Sequence, residues 1–146
     1  MNSLEYAEIE VGQTASFMTQ ITEEKMARFS IITGDISSIH LDDDWAKQQG
    51  FNSRISYGML TSSYISTLSG MHLPGKNSVL LSESANFLSP VYPGDFLTIT
   101  GEVVEKTDAL KVVKVKVVVK NQHDKKVMRG SYLAKIMSRK DKEQKI

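Results

Sequence analysis

Tyr57-Gly58-Met59-Leu60-Thr61-Ser62-Ser63-Tyr64-Ile65-Ser66-Thr67-Leu68-Ser69-Gly70-Met71 contains no charged residue. A helix without a charged face belongs in an interior, not on a surface. Its Ser, Gly and Thr residues are small enough for a sheet to approach closely. From Ser78 onward the period changes. Residues 79–88 read as a long strand closed by the turn Pro90-Val91-Tyr92-Pro93-Gly94-Asp95, and residues 96–104 as the next strand. Within 111–120, Val113, Val115, Val117 and Val119 fall on one face, and Lys114, Lys116 and Lys120 on the other. That alternation marks a half-buried strand, and its lysines read as a solvated outer face that discourages edge pairing rather than as a phosphate site. A turn at His123-Asp124-Lys125-Lys126 precedes a last strand over 127–137. One buried helix followed by long antiparallel strands predicts an α+β fold, a curved sheet wrapped around a central helix. Such a sheet leaves an edge exposed, which pairing in a homodimer would cover.

Upstream, residues 14–20 read as a first strand. Thr22 then caps a helix whose apolar residues Met26, Phe29 and Ile32 recur at helical spacing, and Gly34 ends it. Asp42, Asp43 and Asp44 open a second short helix that stops at Gly50, since acidic side chains suit the positive end of a helix dipole. They are not an EF-hand, which needs alternating oxygen ligands, a central Gly and a distal Glu.

The length of 146 residues, with 40% hydrophobic and 24% charged content, predicts one domain over 1–138 and a fraying charged tail over 139–146. A net charge of +1 offers no electrostatic case for nucleic acid or an anionic membrane as partner. With no cysteine there is no disulfide, thiolate nucleophile or Cys-ligated metal. The acidic N-terminus lacks the apolar core of a signal peptide, and no apolar stretch is long enough to span a bilayer, so a cytoplasmic location is expected.

Phe29 to Leu60 holds the residues with chemical potential. Asp35 and His40 are close in sequence, and Gly58 stands at the predicted start of the uncharged helix. A carboxylate, an imidazole and an N–H at a helix start are the parts that add or remove water beside a thioester carbonyl. Taken singly, each also has a structural reading. A D-x4-H spacing recurs by accident, and a glycine can serve close packing. His72 and His123 have no cluster around them, and Leu73-Pro74-Gly75-Lys76 is neither a Walker nor a dinucleotide motif.

Their order along the chain is more specific. G-D-x-x-x-x-H-x-D at 34–42, Ala46, Phe51, then I-x-x-G-M-L at 55–60 resembles the signature of the MaoC-like hydratases, the (R)-specific enoyl-CoA hydratases. The resemblance continues through 73–76, Phe87-Leu88-Ser89-Pro90-Val91, Tyr92-Pro93-Gly94-Asp95 and Val127-Met128-Arg129-Gly130, spanning about residues 8–138. It implies a hot-dog fold, a dimer or higher homo-oligomer, and an acyl-CoA substrate of fatty acid metabolism near the subunit interface, with no cofactor or metal. It also implies that Asp35 and His40 are the catalytic pair, that Gly58 donates its N–H to the enolate-like oxygen, and that Ser66 is a small polar pocket residue. Two departures stand out. Ser37-Ser38 replaces the family's usual Asn-Pro, freeing the loop by roughly 0.4–1 kcal/mol of chain entropy. Tyr57 replaces the usual His before the helix glycine, where it can shape the pocket mouth. Alternative functions on the same scaffold are an acyl-CoA thioesterase, a 3-hydroxyacyl-ACP dehydratase and a non-catalytic acyl-binding module.

Overall fold

The alternating second half of the chain builds most of a five-stranded antiparallel sheet. A computed structural model describes residues 1–138; the tail expected over 139–146 lies outside them. The strands are β1 (Thr14–Gln20), β2 (Ser78–Phe87), β3 (Phe96–Thr107), β4 (Val112–Lys120) and β5 (Lys126–Ile136), in the spatial order β1-β3-β4-β5-β2. On β4 the four alternate valines, Val113 to Val119, are fully buried, whereas Lys114 and Lys116 are exposed. Because β4 lies between β3 and β5, these lysines solvate the outer face; they guard no edge.

Leu97, Ile99 and Val103 of β3 and Met128, Tyr132, Ala134 and Ile136 of β5 complete the inner face. Against it packs the uncharged helix, α4 (Gly58–Thr67), continued by a wider π-helical turn over Leu68–His72. Leu60, Ile65 and Leu68 join the same core, so the chain forms the predicted sheet against a central helix, buried on one face and exposed at Met59, Ser63 and Ser66. Burying each such side chain contributes roughly 1.5–3 kcal/mol. The small-residue requirement falls partly on the sheet: a Cβ at Gly101 would lie 2.8 Å from Leu68 Cδ2. Tyr132 hydroxyl donates to the Leu73 carbonyl, and burial raises its pKa well above the usual phenol range. It therefore stays a neutral donor.

The first half positions the site. Helix α1 (Glu23–Thr33) starts where Thr22 Oγ1 accepts the Lys25 N–H at 3.2 Å, and ends on Gly34 at φ +74°. Met26 is buried and Phe29 packs against the core, but Ile32 is 79% exposed. Each three-residue step falls about 60° short of a full helical turn, so Ile32 has rotated off the face that Met26 defines. One helical turn was not foreseen. The segment holding His40, which offered no helical pattern, forms α2 (Ser38–Leu41). Then α3 (Asp43–Gln48) begins at Asp42, whose carboxylate accepts the Trp45 N–H at 2.9 Å. Among the described residues no helix is long and apolar enough to cross a membrane.

Two glycines in the sheet should differ in tolerance. A Cβ at Gly130 would sit 2.0 Å from the Ser84 carbonyl oxygen, which is backbone, whereas at Gly101 it meets only the ends of Leu68 and Val115. Gly130→Ala is expected to cost roughly 2–3 kcal/mol and Gly101→Ala less. Thermal denaturation of the two variants checks the order.

Candidate active site

The chain leaves α1 at Gly34 and turns at once toward α4, and two side chains fix that turn. Ser30 Oγ donates to the Asp35 carbonyl at 2.8 Å, and Tyr57 hydroxyl donates to the same oxygen at 2.9 Å. The backbone of residue 35 is thereby tied to both α1 and the start of α4. Its carboxylate Oδ1 accepts the Ser37 N–H at 2.9 Å and the Ser37 hydroxyl at 2.5 Å. The Ser37 hydroxyl, then its N–H, hold the Asp35 carboxyl below its usual pKa against a smaller desolvation cost. Asp35 is ionised at neutral pH.

His40 sits in α2 with Nδ1 2.8 Å from the Ile55 carbonyl oxygen. A carbonyl only accepts, so in the neutral ring Nδ1 carries the proton and Nε2 the lone pair. Nε2 lies 4.0 Å from Asp35 Oδ2. Two hydrogen bonds of about 2.8 Å reach across that distance, so one water can touch both atoms. The Tyr57 ring lies over the imidazole, centroids 4.0 Å apart, and Phe29 backs Tyr57 at 5.1 Å. Tyr57, expected to shape a pocket mouth, lines a cavity with the pair while only 2% exposed, its ring on His40 and its hydroxyl on the Asp35 carbonyl.

Gly58 is the first residue of α4, so its N–H has no acceptor within the helix. A Cβ there would lie 3.1 Å from the Phe87 ring. The glycine thus packs closely on Phe87 and places its N–H at the start of the helix. Two cavities meet at these residues. One, of about 350 Å³, is lined by His40, Gly58, Thr61, Phe87, Val91 and Val127 among others. The second, of about 260 Å³, is lined by Phe29, Thr33, Asp35, His40, Tyr57, Gly58 and Met59. His40 and Gly58 line both.

Ser66 does not join them. It lies about 12 Å further along α4 by helix rise, is exposed, and lines neither cavity. Three contributors had roles the sequence did not announce: the Ser30 hydroxyl, the Ser37 hydroxyl, marked only as a departure from Asn-Pro, and the Ile55 carbonyl, whose residue opens the I-x-x-G-M-L motif. Ser56 Oγ and Thr61 Oγ1 are buried without a partner among the described residues, and both side chains border the larger cavity. In a run of small residues such hydroxyls read only as packing. His72 stacks on Phe17 at 5.0 Å, away from the pair. Asp42 caps α3 and Asp43 accepts the Arg54 N–H, so these acidic residues serve local structure.

A lone-pair nitrogen, a carboxylate oxygen and a free N–H around one spot can hold a water, deprotonate it and receive negative charge on a neighbouring carbonyl. Comparison with known proteins points the same way. The family model described as "MaoC like domain" matches residues 7–126. A 3-hydroxybutyryl-CoA dehydratase of Methylorubrum extorquens is 36% identical over 102 residues, 70% of this chain and 65% of that protein. An (R)-specific enoyl-CoA hydratase of Rhodospirillum rubrum is 34% identical over 105 residues, 69% of this chain and 73% of that protein. The solved unliganded R-hydratase of Pseudomonas aeruginosa superposes with a TM-score of 0.85 at 34% identity, covering 91% of this chain and 85% of that one.

The His40 geometry makes a spectroscopic prediction. At a pH where the ring is neutral, long-range 1H–15N correlation should find the proton on Nδ1, and His40 in the opposite tautomer would contradict the Ile55 contact.

Proposed function

This chain belongs to the MaoC-like domain family, and from that premise we propose that it is a hydro-lyase adding water across trans-2-enoyl-CoA to give (R)-3-hydroxyacyl-CoA, reversibly. The observation that carries the reading is the facing of His40 Nε2 and Asp35 Oδ2 at 4.0 Å beside the N-terminal residue of α4. Asp35, ionised, accepts one hydrogen of the water and orients it. His40 Nε2 takes a proton from that water as its oxygen bonds to C3. Electron density moves onto the thioester oxygen, where the Gly58 N–H stabilises it. The protonated His40 then delivers its proton to C2, restoring the starting state of the enzyme. No cofactor enters this scheme, because conjugation with the thioester already makes C3 electrophilic and C2 acidic. The R configuration comes from the relatives, since it depends on which face of the enoyl group meets the pair.

The proposed assembly is a homodimer. Val79, Leu80, Leu81 and Phe87 of β2 are exposed, and among the described residues β2 pairs only with β5. A second copy would cover this apolar edge.

Asp35→Asn and His40→Gln are each expected to lower crotonyl-CoA hydration at least about a hundredfold with the fold retained. Wild-type rates in either would remove the pair from the mechanism. Assays with saturated acyl-CoA separate the rival chemistry: thiol release there, without hydration of crotonyl-CoA, would make the protein a thioesterase. Light scattering in solution should return twice the chain mass, and a monomer would refute the β2 pairing.

A further inference from the structure

Asp35 has two chemically equivalent carboxylate oxygens, and the terminal torsion that interchanges them is broad. Only the oxygen facing His40 is useful to a water shared between them. We propose that Ser37 is a positioning residue of the pair: by engaging Oδ1 it dedicates Oδ2 to the reacting water beside His40 Nε2. The inference rests on the hydration reading above.

Three observations carry it. Both Ser37 bonds, from N–H at 2.9 Å and hydroxyl at 2.5 Å, end on Oδ1, whereas Oδ2 is the atom 4.0 Å from His40 Nε2. Ser37 occupies the position before α2 where a serine hydroxyl ordinarily accepts from the helix's own first N–H groups, yet it makes no such cap. The hydroxyl points back to Asp35 instead. A simple turn of the backbone is satisfied by the N–H bond alone; the second bond to the same oxygen adds nothing to the turn and fixes the carboxylate plane. Meanwhile the main chain of residue 35 is secured separately, by Ser30 and Tyr57. Ser37 therefore governs the side chain and the other two govern the backbone.

The titratable groups facing Asp35 are His40 and Tyr57; the remaining lining of that cavity, Phe29, Thr33, Gly58 and Met59, is uncharged. Loss of the Ser37 hydroxyl should thus register at Asp35 directly. Ser37 is exposed, so replacing it leaves the core intact.

The experiment compares Ser37→Ala and Ser37→Thr with the unaltered full chain, following crotonyl-CoA hydration and the Asp35 carboxyl titration by 13C NMR, which needs no substrate. For Ser37→Ala, kcat is expected to fall about tenfold with KM nearly unchanged, and the Asp35 titration to move to higher pH. Ser37→Thr, which keeps a hydroxyl, is expected to restore both. Unaltered kcat and titration in Ser37→Ala would overturn the proposal, as would a Thr variant no better than Ala. An upward-shifted titration in Ser37→Ala, in a protein whose unaltered form hydrates no enoyl thioester, would support the Ser37–Asp35 contact and reject the reaction itself.

Discussion

Everything in this molecule is arranged around the burial of α4 on the concave side of the sheet. A helix with no charge has no stable place in water, and the valine face of β4 has none either, so each supplies the apolar surface the other lacks. Close contact between them sets further demands. Leu68 lies where a side chain at position 101 would otherwise go, and Gly101 leaves the space open. The start of α4 is consequently held at a defined height against the strands, with Phe87 over Gly58. An N–H at a helix start can stabilise developing charge only if it is already in place, so this rigidity suits the proposed role of Gly58.

The pair is built onto this fixed point. Tyr57, one residue before α4, reaches back to the Asp35 carbonyl and covers the His40 ring. The Ile55 carbonyl orients the imidazole from the same segment. Two residues leading into the helix, Ile55 and Tyr57, thus position both members of a pair that belongs to a different stretch of chain. The substitution of Tyr for the family's usual His is accommodated as a structural tie, with its ring in the core and its hydroxyl on the main chain.

Period and polarity made the architecture legible. The β4 alternation, the uncharged helix, the Thr22 cap and the Gly34 stop all follow from side-chain chemistry at fixed spacing, and the structure places them accordingly. The α2 turn escaped notice because four residues offer no periodicity to read. Ile32 was assigned to a buried face by three-residue spacing, which drifts around a helix. The closeness of Asp35 and His40 was legible only through the order of motifs along the whole chain. Ser66 was suggested by resemblance alone, and its position on α4 leaves it exposed and away from both cavities. Ser30 had no signal, and Ser37 stood out only as a departure from the usual Asn-Pro, since a serine's partner depends on where the backbone turns.

The ties on residue 35 have a consequence for what this position can become. Ser30 and Tyr57 grip the peptide carbonyl, a group every amino acid possesses, so the anchorage is indifferent to the side chain it carries. Position 35 is in that sense a socket with an interchangeable fitting. A side chain cut back to Ala or Gly would leave a recess beside the imidazole large enough for a small carboxylate such as formate. The location of the group is written into the main chain, whichever side chain the position bears.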